Sequence, residues 1–187
     1  MKKSPSKSAF SIIEILVGMF IFSLGIISVY GIIASSVKIN EYNKNYIIAS
    51  NLAREQLELM RYNRDYNYDV IQKYDQINPH KPDFSNVFGD DTYYAVENDF
   101  SGDTFPITFT KIVDMDAEED YRICQNETTY IYSYDCSEGQ KKTFFYRYIH
   151  VEKIEDAKMK VTSKVMWKSK GIHDFEVSMI LADWKKL

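Results

Sequence analysis

An uncharged stretch of 23 residues, from Ile15 to Val37, constrains this chain more than any other feature of its sequence. At a rise of about 1.5 Å per residue, a helix of that length extends about 35 Å, which is enough to cross the hydrocarbon core of a bilayer with some tilt. Nothing else in the sequence is apolar over a comparable length. The pattern therefore predicts one membrane-spanning helix over about residues 15–37.

A carboxylate, Glu14, stands immediately before this stretch, where an unpaired charge is costly. It could simply lie among the lipid head groups at the membrane surface. The leader in front of it, residues 1–9, contains three lysines and no acidic residue. By the positive-inside rule, these lysines place the N-terminus in the cytoplasm and the body of the chain outside. The apolar run is too long for an ordinary secretory signal, and no small-x-small cleavage site closes it.

The sequence Ala9-Phe10-Ser11-Ile12-Ile13-Glu14 resembles the processing motif of type IV prepilins. That motif has a small residue, an aromatic residue, Ser or Thr, two aliphatic residues and Glu. The resemblance implies that a prepilin peptidase cleaves between Ala9 and Phe10, and that Phe10 is then N-methylated. It also implies that Glu14 helps the subunit to join a filament, with other major and minor pilins and an inner-membrane assembly platform as partners.

The chemistry of the motif has a physical reason. Cleavage exposes a cationic α-amine at Phe10, and an amine or a carboxylate is costly to bury alone. If the Phe10 amine of one subunit pairs with Glu14 of another, both costs are removed together. The pairing would then make the axial register of neighbouring subunits a condition for assembly.

The helical pattern continues beyond the apolar stretch. Residues 38–60 contain no Gly or Pro, and a stripe of mostly apolar residues recurs at steps of three and four. The pattern predicts one continuous helix over about residues 10–61, whose second half, 38–61, is amphipathic and packs its stripe in a core. The stripe consists of Tyr42, Tyr46, Ala49, Ala53, Gln56 and Met60; the opposite side carries Glu41, Lys44, Arg54, Glu58 and Arg61.

The remainder of the chain reads as a polar loop followed by a sheet. Residues 62–91 are rich in Tyr, Asn and Asp and are interpreted as a loop, with a short helix at about 68–74. Alternating or β-branched segments then predict strands, of which the last two form the clearest hairpin, closed by a turn at 168–171. The predicted strands cover 92–96, 105–113 (an edge strand or strand start, because of Pro106), 143–154, 159–167 and 173–184.

These elements predict an α+β fold in which a long N-terminal helix packs, by its second half, on a C-terminal antiparallel β-sheet. Pilin-like proteins share this arrangement, which is often compared to a lollipop. The predicted organisation is a leader over 1–9, the long helix over 10–61 and an extracytoplasmic β-rich domain over 62–187. Residues 51–61 and the closing hairpin, 165–184, also resemble minor pilins of the type IV pilus modification protein V and type II secretion protein I group. Gly31 departs from many major pilins, which have Pro near this position.

Two cysteines, Cys124 and Cys136, are the only ones in the chain. In a domain delivered outside the cytoplasm they are expected to form a disulfide, and two free buried thiols are the alternative. An acidic run over 114–120 offers Asp114, Asp116 and Glu118 as a candidate calcium site, because clustered carboxylates suit hard cations. Its spacing fits no EF-hand, so a solvated acidic turn is favoured, and no cofactor is expected.

The sequence favours an assembly protein over an enzyme. It contains no nucleophile elbow, P-loop or paired metal motif. The whole chain has a formal net charge of −4 and the leader carries three lysines, so the body outside the leader is more acidic still, which argues against a large nucleic-acid surface. The favoured function is that of a minor pilin or pseudopilin, a structural subunit that assembles into or primes a type IV pilus, including at its tip. One alternative is a minor pseudopilin of a type II secretion or competence DNA-uptake filament. Another is a single-pass membrane-anchored binding or adhesion protein.

Overall fold

The computed structural model describes residues 11–74, 88–98, 107–155 and 158–182, and side chains in the helix as far as residue 65. It contains one long helix, α1, Ile12–Tyr74, and a short 3-10 helix, Glu118–Tyr121. The described chain divides into two compact units between Lys44 and Asn45. The seven strands among the described residues are β1 Thr92–Asn98, β2 Ile107–Ile112, β3 Arg122–Asn126, β4 Tyr132–Ser133, β5 Gln140–Glu155, β6 Lys158–Lys168 and β7 Ile172–Ala182.

In the first unit, α1 presents an almost wholly exposed surface. From Ile12 to Lys44 every described side chain is exposed except Ala34, which is intermediate. Ser23 and Ser28 lie on this surface but add little polarity to it, because their hydroxyls are already bonded. The Ser23 and Ser28 hydroxyls donate to backbone carbonyls one turn earlier, at 2.7 Å and 2.9 Å, and so satisfy themselves within the helix.

In the second unit, α1 packs on an antiparallel sheet, as the sequence predicts. Ala49, Ala53, Gln56 and Met60 of the predicted stripe are fully buried. The alanines belong to a core cluster with Phe145 and Trp167 of the sheet, where their small side chains leave room for large aromatic ones. The charged side of the predicted helix is exposed at Arg54, Glu58 and Arg61.

The first two residues of the stripe do not follow the core-packing prediction. Tyr42 and Tyr46 retain 44% and 41% of their exposed surface. Tyr46 lies at the margin of the second unit, where its ring meets Phe175 edge-on at 5.2 Å. The periodicity locates a helix face correctly, but it does not show where along that face the core ends.

The predicted end of the helix at Arg61 is wrong. α1 continues to Tyr74 without a break, through 62–67, interpreted above as loop, and through 68–74, where a separate short helix is predicted. Residues 62–74 contain no Gly or Pro, and Tyr, Asn and Asp lower helix propensity by only fractions of a kcal/mol each, roughly. Asn63 is only 2% exposed, so the packed face extends past residue 61. The rest of the predicted loop, at 75–87, lies outside the described residues.

The sheet is organised around β5, its longest strand. Along one edge β5 pairs with β6, which pairs in turn with β7. Along its other edge β5 pairs first with β3 and then with β1, and β2 and β4 lie outside these. All five predicted strands are present, with different ends, and β2 is an edge strand as expected. β3 and β4 are not among the predicted strands; both are short, β3 contains Cys124, and β4 lies within the loop that Cys136 closes.

The two faces of this sheet differ in what covers them. The inner face, defined by Phe145, Ile149 and Val151 of β5, packs against α1. The outer face carries the alternate residues, among them Tyr146 and Tyr148. Part of it is covered by the segment before β3, through a cluster of Ala95, Ile112, Tyr121, Tyr146 and Tyr148.

Candidate functional site

The exposed apolar surface of α1 in the first unit is the main candidate for a functional surface. Among the described residues, α1 is the one helix that is long and apolar enough to cross a bilayer, which is consistent with a single-pass anchor. Contiguous apolar surface of this extent is rare on a soluble monomer and requires an apolar environment. Its large exposed side chains include Ile15, Leu16, Val17, Met19, Phe20, Ile21, Phe22, Leu24, Ile26, Ile27, Val29, Tyr30, Ile32, Ile33 and Val37.

Glu14 lies in the first turn of α1 and is exposed. Its backbone N–H donates to the Ser11 carbonyl at 3.0 Å, which begins the helix. A negative charge in a first turn interacts favourably with the helix dipole. The predicted cleavage and methylation residues, Ala9 and Phe10, lie outside the described residues.

A buried polar network joins α1 to the inner face of the sheet, and it centres on Arg147. The Arg147 side chain is 1% exposed and donates from Nη1 to a Glu55 carboxylate oxygen at 2.9 Å. Its Nε donates to the Tyr134 hydroxyl at 3.3 Å. Burial by itself lowers the pKa of Arg147, but Tyr134 and Glu55 outweigh burial, and the pKa is raised. Arg147 therefore stays charged inside the core.

Gln56 extends this network across the interface between helix and sheet. Its Nε2 donates to the Tyr134 hydroxyl at 2.9 Å, and its Oε1 accepts from the Ser163 hydroxyl at 2.7 Å. A buried amide that bonds in both directions defines one register of α1 on the sheet, because any shift would leave these polar groups unpaired.

The Tyr134 hydroxyl bonds the backbone of β5 at a point where neither β3 nor β1 pairs with that strand. β3 pairs with β5 as far as Tyr146, and β1 pairs from Ile149 onward, so the Arg147 carbonyl lies between the two partners. The Tyr134 hydroxyl donates to that carbonyl at 2.8 Å. Burial raises the pKa of Tyr134, partly offset by Arg147, so its hydroxyl remains a donor.

No sequence pattern links Arg147, Tyr134 and Glu55 as a network. One signal was available. Side chains alternate between the two faces of a strand, so Arg147 shares the inward face of β5 with Phe145 and Ile149, where an apolar residue is expected. Such a residue in a core strand indicates a buried ion pair. Its partner on the helix could not be read from spacing alone.

Cys124 and Cys136 form a disulfide, as predicted. Cys124 is fully buried in β3, and the closed loop contains the short strand β4. At the tip of the loop, the Asn126 side chain accepts two backbone N–H groups, from Thr128 and Thr129, at 2.9 Å and 2.8 Å. These bonds and the disulfide together hold the loop in one conformation.

The candidate calcium residues are not brought together as a cation site. The Asp114 carboxylate accepts the Asp116 backbone N–H at 2.9 Å, and Glu118 pairs with Lys168 of β6. Within the described residues, no group of three His, Cys, Asp or Glu side chains could hold a metal ion. The ion pair at Glu118 instead ties this acidic segment to the sheet.

The chain was compared with protein-family models, with curated proteins and with solved structures, and none of the three comparisons finds a match.

Proposed function

We propose that this chain is a minor pilin or pseudopilin, a membrane-anchored subunit that assembles into or primes a type IV pilus. The observation that carries the proposal is the exposed apolar surface of α1, headed by Glu14 in its first turn. A helix of this kind suits two environments in turn, first the bilayer and then the apolar interior of a filament. The resemblance of residues 9–14 to the prepilin processing motif supports this function over a simple anchor.

The packed second unit supports the proposal in a second way. A subunit that is transferred from lipid to a filament needs a domain that keeps its fold without the membrane. The second unit has its own core, a buried network that fixes α1 on the sheet, and a disulfide. Each of these is independent of the apolar surface in the first unit.

The proposed role of Glu14 is to pair with the Phe10 amine of a neighbouring subunit after cleavage. In Glu14→Ala that cation would have no partner, so the variant should insert in the membrane, be cleaved, and fail to co-purify with the filament or its partner pilins. Glu41→Ala is the matched control, because Glu41 is an exposed carboxylate on the same stretch of helix outside the motif. It should co-purify as the wild type does.

Processing is measured in the same samples, so that a cleavage defect is not mistaken for an assembly defect. Mass spectrometry of protein from its native membrane should find a chain that begins with methyl-Phe10. A mature chain that still carries residues 1–9, in cells with an active prepilin peptidase, would contradict the proposal. Recovery of Glu14→Ala in filaments at the wild-type level would contradict the proposed pairing of Glu14 with the Phe10 amine. Absence of the wild type itself from filaments would favour the second candidate function, a single-pass anchored binding or adhesion protein.

The machine that the filament belongs to is a separate question. A type II secretion or competence filament would use the same helix chemistry. Deletion of the gene should abolish surface pili in the favoured case, protein secretion in the second and DNA uptake in the third. Measuring the three phenotypes in one deletion strain distinguishes these filaments.

A further inference from the structure

The free edge of β7 is the longest unpaired strand edge in the part of the chain that the structure describes. β7 pairs with β6 along one side, and no described strand pairs with its other side. It extends over 11 residues, Ile172–Ala182, whereas the edge strands β2 and β4 have 6 and 2. An unpaired strand edge is a template on which a further strand can form.

The backbone groups of β7 alternate between its two edges. At the start of the β6–β7 ladder, the Ser169 N–H donates to the Gly171 carbonyl at 2.9 Å. Because bonded and non-bonded pairs alternate in an antiparallel ladder, the odd-numbered residues of β7, from His173 onward, bond β6. The register has no break, so the N–H and C=O groups of the even-numbered residues all point away from β6. A further strand would find a regular row of donors and acceptors along residues 172–182.

β7 lacks the features that usually protect an edge strand. Its sequence contains no Pro, Gly or Lys, and its pairing with β6 contains no bulge. Two large apolar side chains on the outer face, Ile172 and Ile180, retain 74% and 62% of their exposed surface. Proteins that keep an edge unpaired usually interrupt it or place lysines on it, so this edge is expected to acquire a partner.

The inner face of the sheet is incomplete along the same edge. Phe175, Val177 and Met179 of β7 pack against the core, yet each remains partly exposed. Tyr46 of α1, which meets Phe175 edge-on, is half-exposed as well. A strand beside β7 would place every second side chain on this face, and apolar residues at those positions would bury the row.

The outer face beside the edge has an excess of negative charge. The side chains of Asp174 and Glu176 are more than half exposed, and Lys164 lies 3.3 Å from the first and 4.0 Å from the second. One lysine between two carboxylates leaves one negative charge uncompensated. Like charges that face each other on neighbouring strands are destabilising, whereas opposite charges are favourable. A strand that carries Lys or Arg on its outer side is therefore preferred over an acidic one.

From these features we propose that the free edge of β7 binds an extended segment of another protein as an added strand. The segment has apolar residues at alternate positions, beside Phe175, Val177 and Met179, and Lys or Arg between them, beside Asp174 and Glu176. Its backbone bonds the even-numbered residues of β7. The proposal is independent of filament assembly, since it requires neither the apolar surface of the first unit nor the prepilin motif.

The test measures peptide binding to the full chain, solubilised in detergent. The probe, called the β6 peptide, is a labelled peptide with the sequence of residues 158–166, which pairs with the other side of β7 and has lysines between apolar residues. The control probe has Glu in place of its three lysines. In fluorescence anisotropy the β6 peptide should bind saturably, and the acidic peptide should bind about tenfold more weakly or less.

Ser178→Pro isolates the contribution of the backbone. The Ser178 N–H points away from β6, so proline removes no bond of the β6–β7 ladder but blocks the free edge. The variant should have the near-UV circular dichroism of the wild type, and its affinity for the β6 peptide should fall at least about tenfold. Ser178→Ala is the matched control, because it changes the same exposed side chain and keeps the N–H. It should bind as the wild type does.

Hydrogen exchange tests the same edge without a substitution. In the free, solubilised chain the even-numbered amides from Asp174 to Ile180 should exchange faster than the odd-numbered amides between them. Addition of the β6 peptide should slow the even-numbered amides. If they are already as slow as their neighbours in the free chain, the chain covers this edge itself and the proposal is wrong.

Three further results would overturn the proposal. The first is the absence of saturable binding by the β6 peptide, and the second is equal affinity of Ser178→Pro and the wild type for it. The third is equal binding of the β6 peptide and the acidic peptide, which would contradict the preference for Lys or Arg. A dimer in detergent that Ser178→Pro dissociates would assign the edge to a second copy of this chain and not to another protein.

Discussion

The two stretches of α1 on either side of residue 44 have the same backbone but opposite surfaces. Before Lys44, large apolar side chains such as Phe22 are exposed, and the Ser23 and Ser28 hydroxyls bond within the helix. From Asn45 onward, Ala53 and Met60 are buried and polar groups such as Gln56 bond across to the sheet. One stretch requires an apolar environment from outside the described chain, and the other is satisfied by its own fold.

This difference shows how a helix can serve two purposes. Helix propensity and the absence of proline keep the backbone helical through both stretches. The side chains then decide where stability comes from. Substitutions after residue 44 should alter the folding of the second unit, and matched substitutions before it should leave that folding unchanged.

The largest expected effect comes from the centre of the core. Trp167 is fully buried, in the cluster with Ala53 and Phe145. Trp167→Ala should lower the free energy of unfolding of the second unit by about 3–5 kcal/mol. Chemical denaturation of the detergent-solubilised chain, followed by near-UV circular dichroism, measures the loss. Ile26→Ala, at an exposed position of the first unit, should leave the transition unchanged. A comparable loss of stability in Ile26→Ala would contradict the conclusion that only the stretch after residue 44 contributes to the folding of the second unit.

The second-largest expected effect on the free energy of unfolding comes from the disulfide. Replacing Cys124 and Cys136 by Ser should reduce the free energy of unfolding by about 3 kcal/mol, because the open loop gains freedom in the unfolded chain. Reduction of the wild type should produce the same loss, and reductant should not affect the double variant. A double variant as stable as the oxidised wild type would show that the packing of β3 and β4 suffices without the bond.

A third test compares two carboxylates one turn apart on the second stretch of α1. Glu55 pairs with the buried Arg147, whereas Glu58 pairs with the half-exposed Arg61 at 2.8 Å. Glu55→Gln should cost about 1–3 kcal/mol, because the buried guanidinium loses its charged partner. Glu58→Gln should cost about 0–1 kcal/mol. Equal losses in thermal or chemical denaturation would mean that Glu55 contributes only as a surface charge.

Much of this fold could be predicted from periodicity. The steps of three and four that place Ala49 and Ala53 in the core, and the alternation in β6 and β7, each report one face of one element, which local sequence encodes. The helix end at Tyr74 could not be predicted, because no strong stop signal precedes it and weak propensities do not end a helix that packs on a sheet.

The functional surfaces divide in the same way. The apolar surface of α1 and Glu14 could be identified, since both lie in one continuous stretch. The Arg147 network could not, because its members come from strands and a helix up to about a hundred residues apart in sequence. The position of β3 and β1 along the same edge of β5, which creates the place for Tyr134, is likewise a property of topology and not of spacing.

The smallest expected effect concerns alkaline pH. Burial is the main cause that raises the pKa of Tyr121, with nearby Glu118 adding to it, and burial also raises the pKa of Tyr148. In the unfolded chain these hydroxyls ionise near pH 10, while in the folded chain they stay protonated. The folded state therefore binds more protons than the unfolded state above pH 10. The stabilisation that these tyrosines give the folded state is complete below pH 10 and is lost as the pH rises further.

Burial lowers the pKa of Lys164, but the hydrogen bond to Asp174 and the nearby negative groups together raise it. Lys164 therefore changes stability with pH in the same direction as the tyrosines, so the effect of one tyrosine must be isolated. Tyr121→Phe removes one of the differing protons, and its stability should fall less steeply above pH 10 than that of the wild type. The slope for one proton is at most about 1.4 kcal/mol per pH unit. Parallel slopes for the variant and the wild type, measured by denaturation at successive pH values, would mean that Tyr121 ionises equally in both states and that its burial does not matter to the second unit.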